Sequence, residues 1–214
     1  MKGNDIIIER LEKHYFGAKP GLHFKTPFEL LIATIMSAQT TDKQVNAVTA
    51  ALFEKYPDAQ AMAALDEEEL GEMIKSTGFY RTKAKNVLKT CRMLAAQYGG
   101  EVPQTMEELT ALAGVGRKTA NVVLSNAFGV PAIAVDTHVF RVSNRMGLAK
   151  AKNELETEKQ LMANIPREKW SAAHHWLIWH GRKICSARKP QCGTCFLSDV
   201  CAWGKREATK TSLE

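Results

Sequence analysis

Apolar residues recur every three or four positions along most of the chain, which is the period of an amphipathic helix. One stripe comprises Phe28, Leu31, Ile35 and Ala38. Capping residues precede several stripes: Thr26 with Pro27 and Glu29, Asp66 with Glu69, Thr105 with Glu108, and Asp42 before the stripe that starts at Val45. The pattern predicts an all-α protein.

The second half of the chain continues the helical pattern with one exception. Helices are expected at Arg117–Phe128, after the cap Asp136-Thr137, and over about 153–163 and 171–184. The short run Ala132–Val135 is the one strand-like segment. The polar residues after Trp203 are expected to fray.

Composition adds broad limits. The 214 residues are 45% hydrophobic and 24% charged, which is typical of a globular protein. No run approaches the ~18–20 apolar residues of a membrane span, and no secretory signal precedes the first helix. We therefore expect a cytoplasmic protein. The net charge of +6 favours a polyanionic partner, nucleic acid first, although solubility alone would also explain it.

Four of the five cysteines cluster near the end of the chain: Cys185, Cys192, Cys195 and Cys201. In a reducing cytosol this arrangement indicates a metal site rather than disulfides. Both zinc and an iron–sulfur cluster accept four thiolates, and the uneven spacing favours the cluster without excluding zinc. The fifth, Cys91, lies on an apolar stripe and is expected in the core.

A turn with two glycines joins two short predicted helices at residues 112–118. Gly114 and Gly116 allow positive φ, so the turn's N–H groups and the start of the next helix can face a phosphate. Val115 between them can enter the core. An ordinary helix–turn–helix corner is the alternative.

Two charged residues follow this turn. Lys118 lies in the first turn of a helix, where the macrodipole disfavours a cation and so favours the neutral amine needed for nucleophilic catalysis. It could instead be a solvated lysine that contacts phosphate. Asp136 could be a catalytic carboxylate or simply an N-cap.

The chain resembles the endonuclease III family of DNA repair glycosylases over about residues 5–203. The matching segments are SAQTTD at 37–42, GFYRTKA at 78–84, GVGRKTANVV at 114–123, VDTHVFR at 135–141 and the spacing Cys-x6-Cys-x2-Cys-x5-Cys. Several independent motifs in the same order make this resemblance specific.

The resemblance implies a two-lobed helix-hairpin-helix glycosylase fold with a C-terminal [4Fe-4S] cluster. One domain would be a helical bundle over 22–130 with the hairpin at about 106–128; the other would join 1–21 to 131–214 and hold the cluster at 185–201. The implied partner is damaged double-stranded DNA, which lies between the lobes. The implied reaction removes oxidised pyrimidines and cleaves the abasic site by β-elimination through a lysine Schiff base. A monomer without a membrane or nucleotide cofactor is expected, nucleoid-associated when it binds DNA.

The resemblance also implies residue roles. Lys118 and Asp136 would be the catalytic pair, and the four C-terminal cysteines the cluster ligands. The expected DNA-contacting residues are Gln39, Phe79, Gly114, Gly116, Arg117, His138, Arg188 and Lys189. Phe79 would be a wedge in the duplex and Gln39 would fill the space opposite the orphaned base. As alternatives, Phe79 could end a helix, Gln39 could be a loop amide, His138 could be structural, and Arg188 and Lys189 a solvated charge run.

Three rival functions are distinguishable. An adenine-removing glycosylase of the same superfamily lacks the hairpin lysine, so Lys118 argues against it. A non-catalytic DNA-binding or redox-sensing iron–sulfur protein would not need Lys118. A structural zinc protein would be colourless. Family members often have an aliphatic residue in the position of Phe79, so the opposite-base preference stays open.

Overall fold

The computed structural model describes residues 3–211, and their side chains as far as Arg206. Within that range the secondary structure is helical without β-strands, which confirms the predicted all-α class. The α-helices are α1 (Gly3–His14), α2 (Pro27–Met36), α3 (Asp42–Lys55), α4 (Ala59–Ala63), α5 (Glu67–Met73), α6 (Tyr80–Gln97), α7 (Met106–Ala111), α8 (Arg117–Phe128), α9 (Thr137–Met146), α10 (Glu154–Asn164), α11 (Trp170–Lys183) and α12 (Ala202–Thr211). No described helix is both long enough and apolar enough to cross a membrane.

The chain divides into two compact units. The inserted unit is Pro20–Val130, and the terminal unit comprises the described parts of Met1–Lys19 and Pro131–Glu214. The domain limits expected from the sequence, 22–130 and 1–21 with 131–214, stay a prediction.

Local capping explains where many helices begin. Thr26, Asp66 and Thr105 each accept a hydrogen bond from the backbone N–H three residues later, at 3.1, 2.7 and 3.2 Å. These three predicted caps are confirmed. The cap of α3 is Thr41 rather than the predicted Asp42, because the Thr41 hydroxyl accepts from the N–H of Gln44.

The core of the inserted unit is built around α2. Every residue from Leu30 to Met36 is buried, so α2 is enclosed all round rather than amphipathic as its sequence stripe suggested. Helices α3, α6 and α8 pack against it. Cys91 on α6 is fully buried in the same cluster, which confirms its predicted core position.

The terminal unit has its own apolar core. Helix α11 packs against both α9 and α1, and the contact buries Leu177, Val142 and Leu11. Helix α9 ends at Gly147, which has a φ of 91°. The Gly147 N–H donates to the carbonyl of Ser143 and so satisfies one of the acceptors at this helix end.

Two sequence expectations are wrong in the terminal unit. The run Ala132–Val135 is buried but forms no strand; His174 Nδ1 donates to the Ala134 carbonyl at 2.7 Å, where a strand neighbour would otherwise pair. The residues from Gly204 to Thr211, which were expected to fray, continue helix α12. Neither outcome is encoded locally, since both depend on packing against distant residues.

Buried His175 on α11 should make the protein acid-sensitive. Burial lowers the pKa of His175 to about 3, so the folded state leaves it neutral while the unfolded chain protonates it near pH 6.5. The contribution of neutral His175 to the free energy of unfolding is therefore complete above pH 6.5 and is lost as the pH falls toward 3. Between pH 7.5 and 5.5, we expect wild type to lose about 1.4 kcal/mol more unfolding free energy than His175→Gln.

Urea unfolding at the two pH values measures this difference. His23→Gln, which replaces an exposed histidine of the inserted unit, is the matched control and should follow wild type. An equal pH dependence in wild type and His175→Gln would contradict the prediction.

Candidate functional site

The turn between α7 and α8 uses the positive φ that glycine allows at Gly114 but not at Gly116. Gly114 has a φ of 75°, and a Cβ there would lie 2.9 Å from the Asn86 amide nitrogen. The Thr90 hydroxyl donates to the Ala113 carbonyl at 2.9 Å. Val115 is 5% exposed, as the sequence predicted. Helix α6 therefore holds the turn through Thr90. The positive φ and the nearby Asn86 side chain together require glycine at position 114.

Gly116 serves a different purpose from Gly114. It is exposed, its φ of −93° suits any residue, and a Cβ would meet nothing within 4 Å. It is the N-cap of α8 but supplies no capping side chain. No side chain therefore caps the start of α8, and a phosphate fits the partial positive charge of this helix end.

Two cations follow at the start of α8. Arg117 and Lys118 occupy the first two helical positions, and both side chains are exposed. The inserted unit therefore presents glycine N–H groups, a guanidinium and a primary amine within five consecutive residues.

Gln39 and Phe79 share an unusual backbone conformation. Among residues 3–211 they are the non-glycine residues with positive φ, at 54° and 48°. The left-handed conformation costs roughly 1–2 kcal/mol for a residue with a Cβ. Phe79 is also 67% exposed, although a large apolar side chain would normally be buried. Such strain is typical of functional positions.

Asp136 lies in the terminal unit, where it is the N-cap of α9. Its Oδ1 accepts from the N–H of Val139 at 2.7 Å, and the residue is half-buried. The predicted capping role is confirmed. The bond fixes one carboxylate oxygen at the start of α9.

His138 follows Asp136 and is held by protein groups. Its Nδ1 lies 3.2 Å from Arg141 Nη2, and burial lowers the pKa of the imidazole. Arg141 in turn donates to the carbonyls of Gly181 and Cys185. This network joins the start of α9 to the end of α11 and to Cys185. No pattern in the sequence singled out Arg141.

The four C-terminal cysteines line one cavity in the terminal unit. Most other lining residues are apolar; they include Met146, Ile184, Pro190, Leu197 and Trp203. In the described part of the chain, no three histidine, cysteine or acidic side chains converge closely enough for a single metal ion.

Hydrogen-bond donors surround these sulfurs. The N–H groups of Leu197 and Gly204 point at Cys195 Sγ and Cys201 Sγ, at 3.5 and 3.4 Å. The Trp203 indole N–H also borders the cavity, and it is buried without a hydrogen-bond partner among the described residues. A sulfur-rich, negatively charged group would supply that missing acceptor, so the residues fit an iron–sulfur cluster.

Arg145 holds the loop that follows the first cysteine. Its guanidinium donates to the carbonyls of Ser186 and Ala187 at 2.7 and 2.8 Å and stacks 4.8 Å from the centre of the Trp203 ring. Arg188 and Lys189 lie exposed on the same loop. Sequence reasoning missed Arg145, although its spacing of four from Arg141 places both on one face of α9.

Comparison with known proteins identifies the class. Residues 32–167 match the family described as HhH-GPD superfamily base excision DNA repair protein, and residues 185–201 match the iron–sulfur binding domain of endonuclease III. The chain is 53% identical over 196 residues to an endonuclease III of Synechocystis sp., with 91% of this chain and 90% of that protein covered.

Solved structures agree with these matches. A trapped covalent intermediate of endonuclease III with DNA, in an estranged-adenine complex, has a TM-score of 0.91 and 49% identity, covering 97% of this chain and 99% of that one. A non-covalent endonuclease III–DNA complex gives the same score and identity over 98% and 99%.

The fold and the hairpin thus define a helix-hairpin-helix base excision DNA repair protein. Within that class, the chain belongs to the endonuclease III family. It is accordingly an enzyme with DNA glycosylase and abasic-site lyase activity, and it carries a [4Fe-4S] cluster in its C-terminal region.

Replacing a cysteine of the cavity should remove the cluster. We expect Cys195→Ser to lose most of its iron and its visible absorbance, and to destabilise the terminal unit because cluster binding contributes to folding. Iron analysis and absorption spectra measure this. Cys91→Ser, in the core of the inserted unit, is the control and should keep about four irons per chain. A colourless wild type with one zinc per chain would contradict the assignment.

Proposed function

We propose that Lys118 and Asp136 carry the reaction and that the substrate is double-stranded DNA containing an oxidised pyrimidine. The observation that carries the proposal is the exposed start of α8, where a helix N-terminus without a capping side chain, Arg117 and Lys118 follow the glycine turn. The relatives described as covalent and non-covalent DNA complexes support a DNA substrate and a reaction that passes through a covalent bond between protein and DNA.

The target nucleotide must leave the base stack before its sugar can react. Flipping costs a few kcal/mol, and least for a damaged base. In this proposal Phe79 enters the duplex as a wedge, and Gln39 occupies the space opposite the base left without a partner. The exposure of Phe79 and the shared left-handed conformation of both residues support these roles.

Lys118 acts as the nucleophile. Its neutral amine bonds to C1′ while the glycosidic bond breaks, and the base departs with the electron pair and takes up a proton. Opening of the sugar ring then gives a protonated imine. Loss of a C2′ proton breaks the C3′–O bond and releases the downstream strand, and water finally hydrolyses the imine to regenerate the lysine.

Asp136 remains ionised during these steps. Its carboxylate stabilises the positive charge that develops on the sugar and takes part in proton transfer. One of its oxygens is committed to the N–H of Val139, so the cap orients the group that acts. Capping and catalysis are thus compatible roles of one side chain.

The remaining predicted residues bind the DNA backbone. Gly114 and Gly116 supply the hairpin turn, Arg117 contacts a phosphate beside it, and Arg188 and Lys189 contact the backbone from the cysteine loop. His138 orders the start of α9 and contacts phosphate. The cysteines hold the cluster, which organises this loop. The proposed working form is a cytoplasmic monomer. It needs no nucleotide cofactor, because Lys118, the DNA and water supply the reacting groups.

Borohydride trapping tests the nucleophile. A duplex with one thymine glycol, incubated with wild type and borohydride, should yield a covalent protein–DNA adduct because reduction fixes the imine. Lys118→Gln should give no adduct, with strand cleavage slower by about 10³-fold or more. Gel electrophoresis measures both.

Lys89→Gln, an exposed lysine in the middle of α6, is the matched control and should trap like wild type. Adduct formation by Lys118→Gln would assign the chemistry to another amine. Tight duplex binding by wild type without an adduct or base release would leave a DNA-binding protein.

Two substitutions separate the roles of Asp136. Asn caps helices about as well as Asp, so Asp136→Asn should keep wild-type stability, whereas Asp136→Ala should lose about 1 kcal/mol. Both should slow base release by roughly 10²-fold, because both remove the negative charge. Thermal unfolding and single-turnover kinetics measure the two effects. Wild-type kinetics in Asp136→Asn would show that the residue is only a cap.

A further inference from the structure

Lys83 on α6 is a buried lysine with no role in the reaction described above. It is 4% exposed. Its Nζ donates to the hydroxyl of Thr40 at 2.6 Å and to the carbonyl of Thr77 at 2.8 Å. The Thr40 hydroxyl itself donates to the same Thr77 carbonyl at 2.5 Å. The three groups form a closed triangle.

This triangle joins the two segments that contain the strained residues. Thr40 directly follows Gln39, and Thr77 precedes Phe79 by two positions. A second bond links the same region, since Gln44 Nε2 donates to the Ser76 hydroxyl at 2.8 Å. These hydrogen bonds therefore join the segment that contains Gln39 to the segment that contains Phe79.

Core stability does not explain a lysine at this position. Both hydrogen-bond partners of Lys83 are neutral oxygens, and a buried charge without an opposite charge is unfavourable. Burial also lowers the pKa of its ammonium. A methionine would fill similar space without this penalty, so the three donors of the ammonium must serve another purpose.

The same helix face also supports the hairpin. Thr90, seven residues after Lys83, bonds the Ala113 carbonyl, and Asn86 between them lies under Gly114. Seven residues are two helical turns, or roughly 10 Å along the axis. Helix α6 thus sets the distance from the hairpin to the segments that contain Gln39 and Phe79.

We propose that Lys83 is a positioning residue that clamps the segments of Gln39 and Phe79 together, so that both side chains enter the duplex as one preformed unit. The inference rests on the roles proposed above for Gln39 and Phe79. Lys83 itself contacts neither the DNA nor the reacting atoms. Its loss should affect opening of the duplex and leave the chemistry at Lys118 intact.

The test compares Lys83→Met with wild type on two substrates. The first is a duplex with a tetrahydrofuran abasic analogue and 2-aminopurine opposite; the second is a single-stranded oligonucleotide with a true abasic site. We expect about tenfold weaker duplex binding, or more, and a loss of the fluorescence rise that reports an unstacked 2-aminopurine. Borohydride trapping on the single strand should match wild type, because no opposite base must be displaced.

Control variants keep the result interpretable. Lys85→Met changes an exposed lysine two positions along α6 and should behave as wild type on both substrates. Thr40→Val removes the hydroxyl that Lys83 contacts and should reproduce the duplex defect, whereas Thr40→Ser retains a hydroxyl and should restore binding. If Lys83→Met does not fold, this Thr40 pair decides.

The possible outcomes are distinct. A folded Lys83→Met with wild-type duplex binding and fluorescence overturns the inference. Equal losses on the duplex and the single strand also overturn it, because they indicate general damage to the inserted unit. If wild type does not trap the single strand, it is the proposed lysine chemistry that fails, whereas the duplex fluorescence still tests the clamp.

Discussion

The packing of α6 beneath the glycine turn is the constraint on which the inserted unit depends. Thr90 holds the Ala113 carbonyl, and Asn86 leaves no room for a side chain at Gly114. The turn therefore cannot relax into a longer loop, and α8 begins at a fixed place without a capping side chain. Because a nucleophile reacts efficiently only when it is held about 3–3.5 Å from its target carbon and aligned with it, a rigid turn suits the amine that we propose on α8.

The terminal unit uses a different device to obtain the same rigidity. Arg141 and Arg145 reach from α9 to backbone carbonyls beside and after Cys185, so the helix capped by Asp136 is joined to the cysteine loop. A cluster bound by that loop would consequently stabilise the start of α9. Loss of the cluster is expected to disturb together the carboxylate that we propose to be catalytic and the two cations that we propose to contact DNA.

Features encoded by neighbouring residues were predictable from the sequence. The caps at Thr26, Asp66, Thr105 and Asp136 involve contacts over three positions, and all four are present. Features that depend on distant contacts were not. Residues 132–135 have β-branched character but no strand partner, and the buried position of Lys83 requires Thr40, which lies 43 residues away. The left-handed φ of Gln39 and Phe79 also carries no composition signal, because neither residue is glycine.

The features that could not be predicted lie at or beside Gln39 and Phe79, the two residues that we propose to enter the duplex. Backbone strain at Gln39 and Phe79, an exposed aromatic ring and a buried ammonium all fall in two segments joined by one triangle of hydrogen bonds. Each is unfavourable alone, and the surrounding helices must compensate for all of them. A scaffold selected only for stability would remove every one of these features by single substitutions. Their concentration at one edge of the inserted unit is what a preformed wedge requires, since a flexible pair would lose binding energy on being ordered in the duplex.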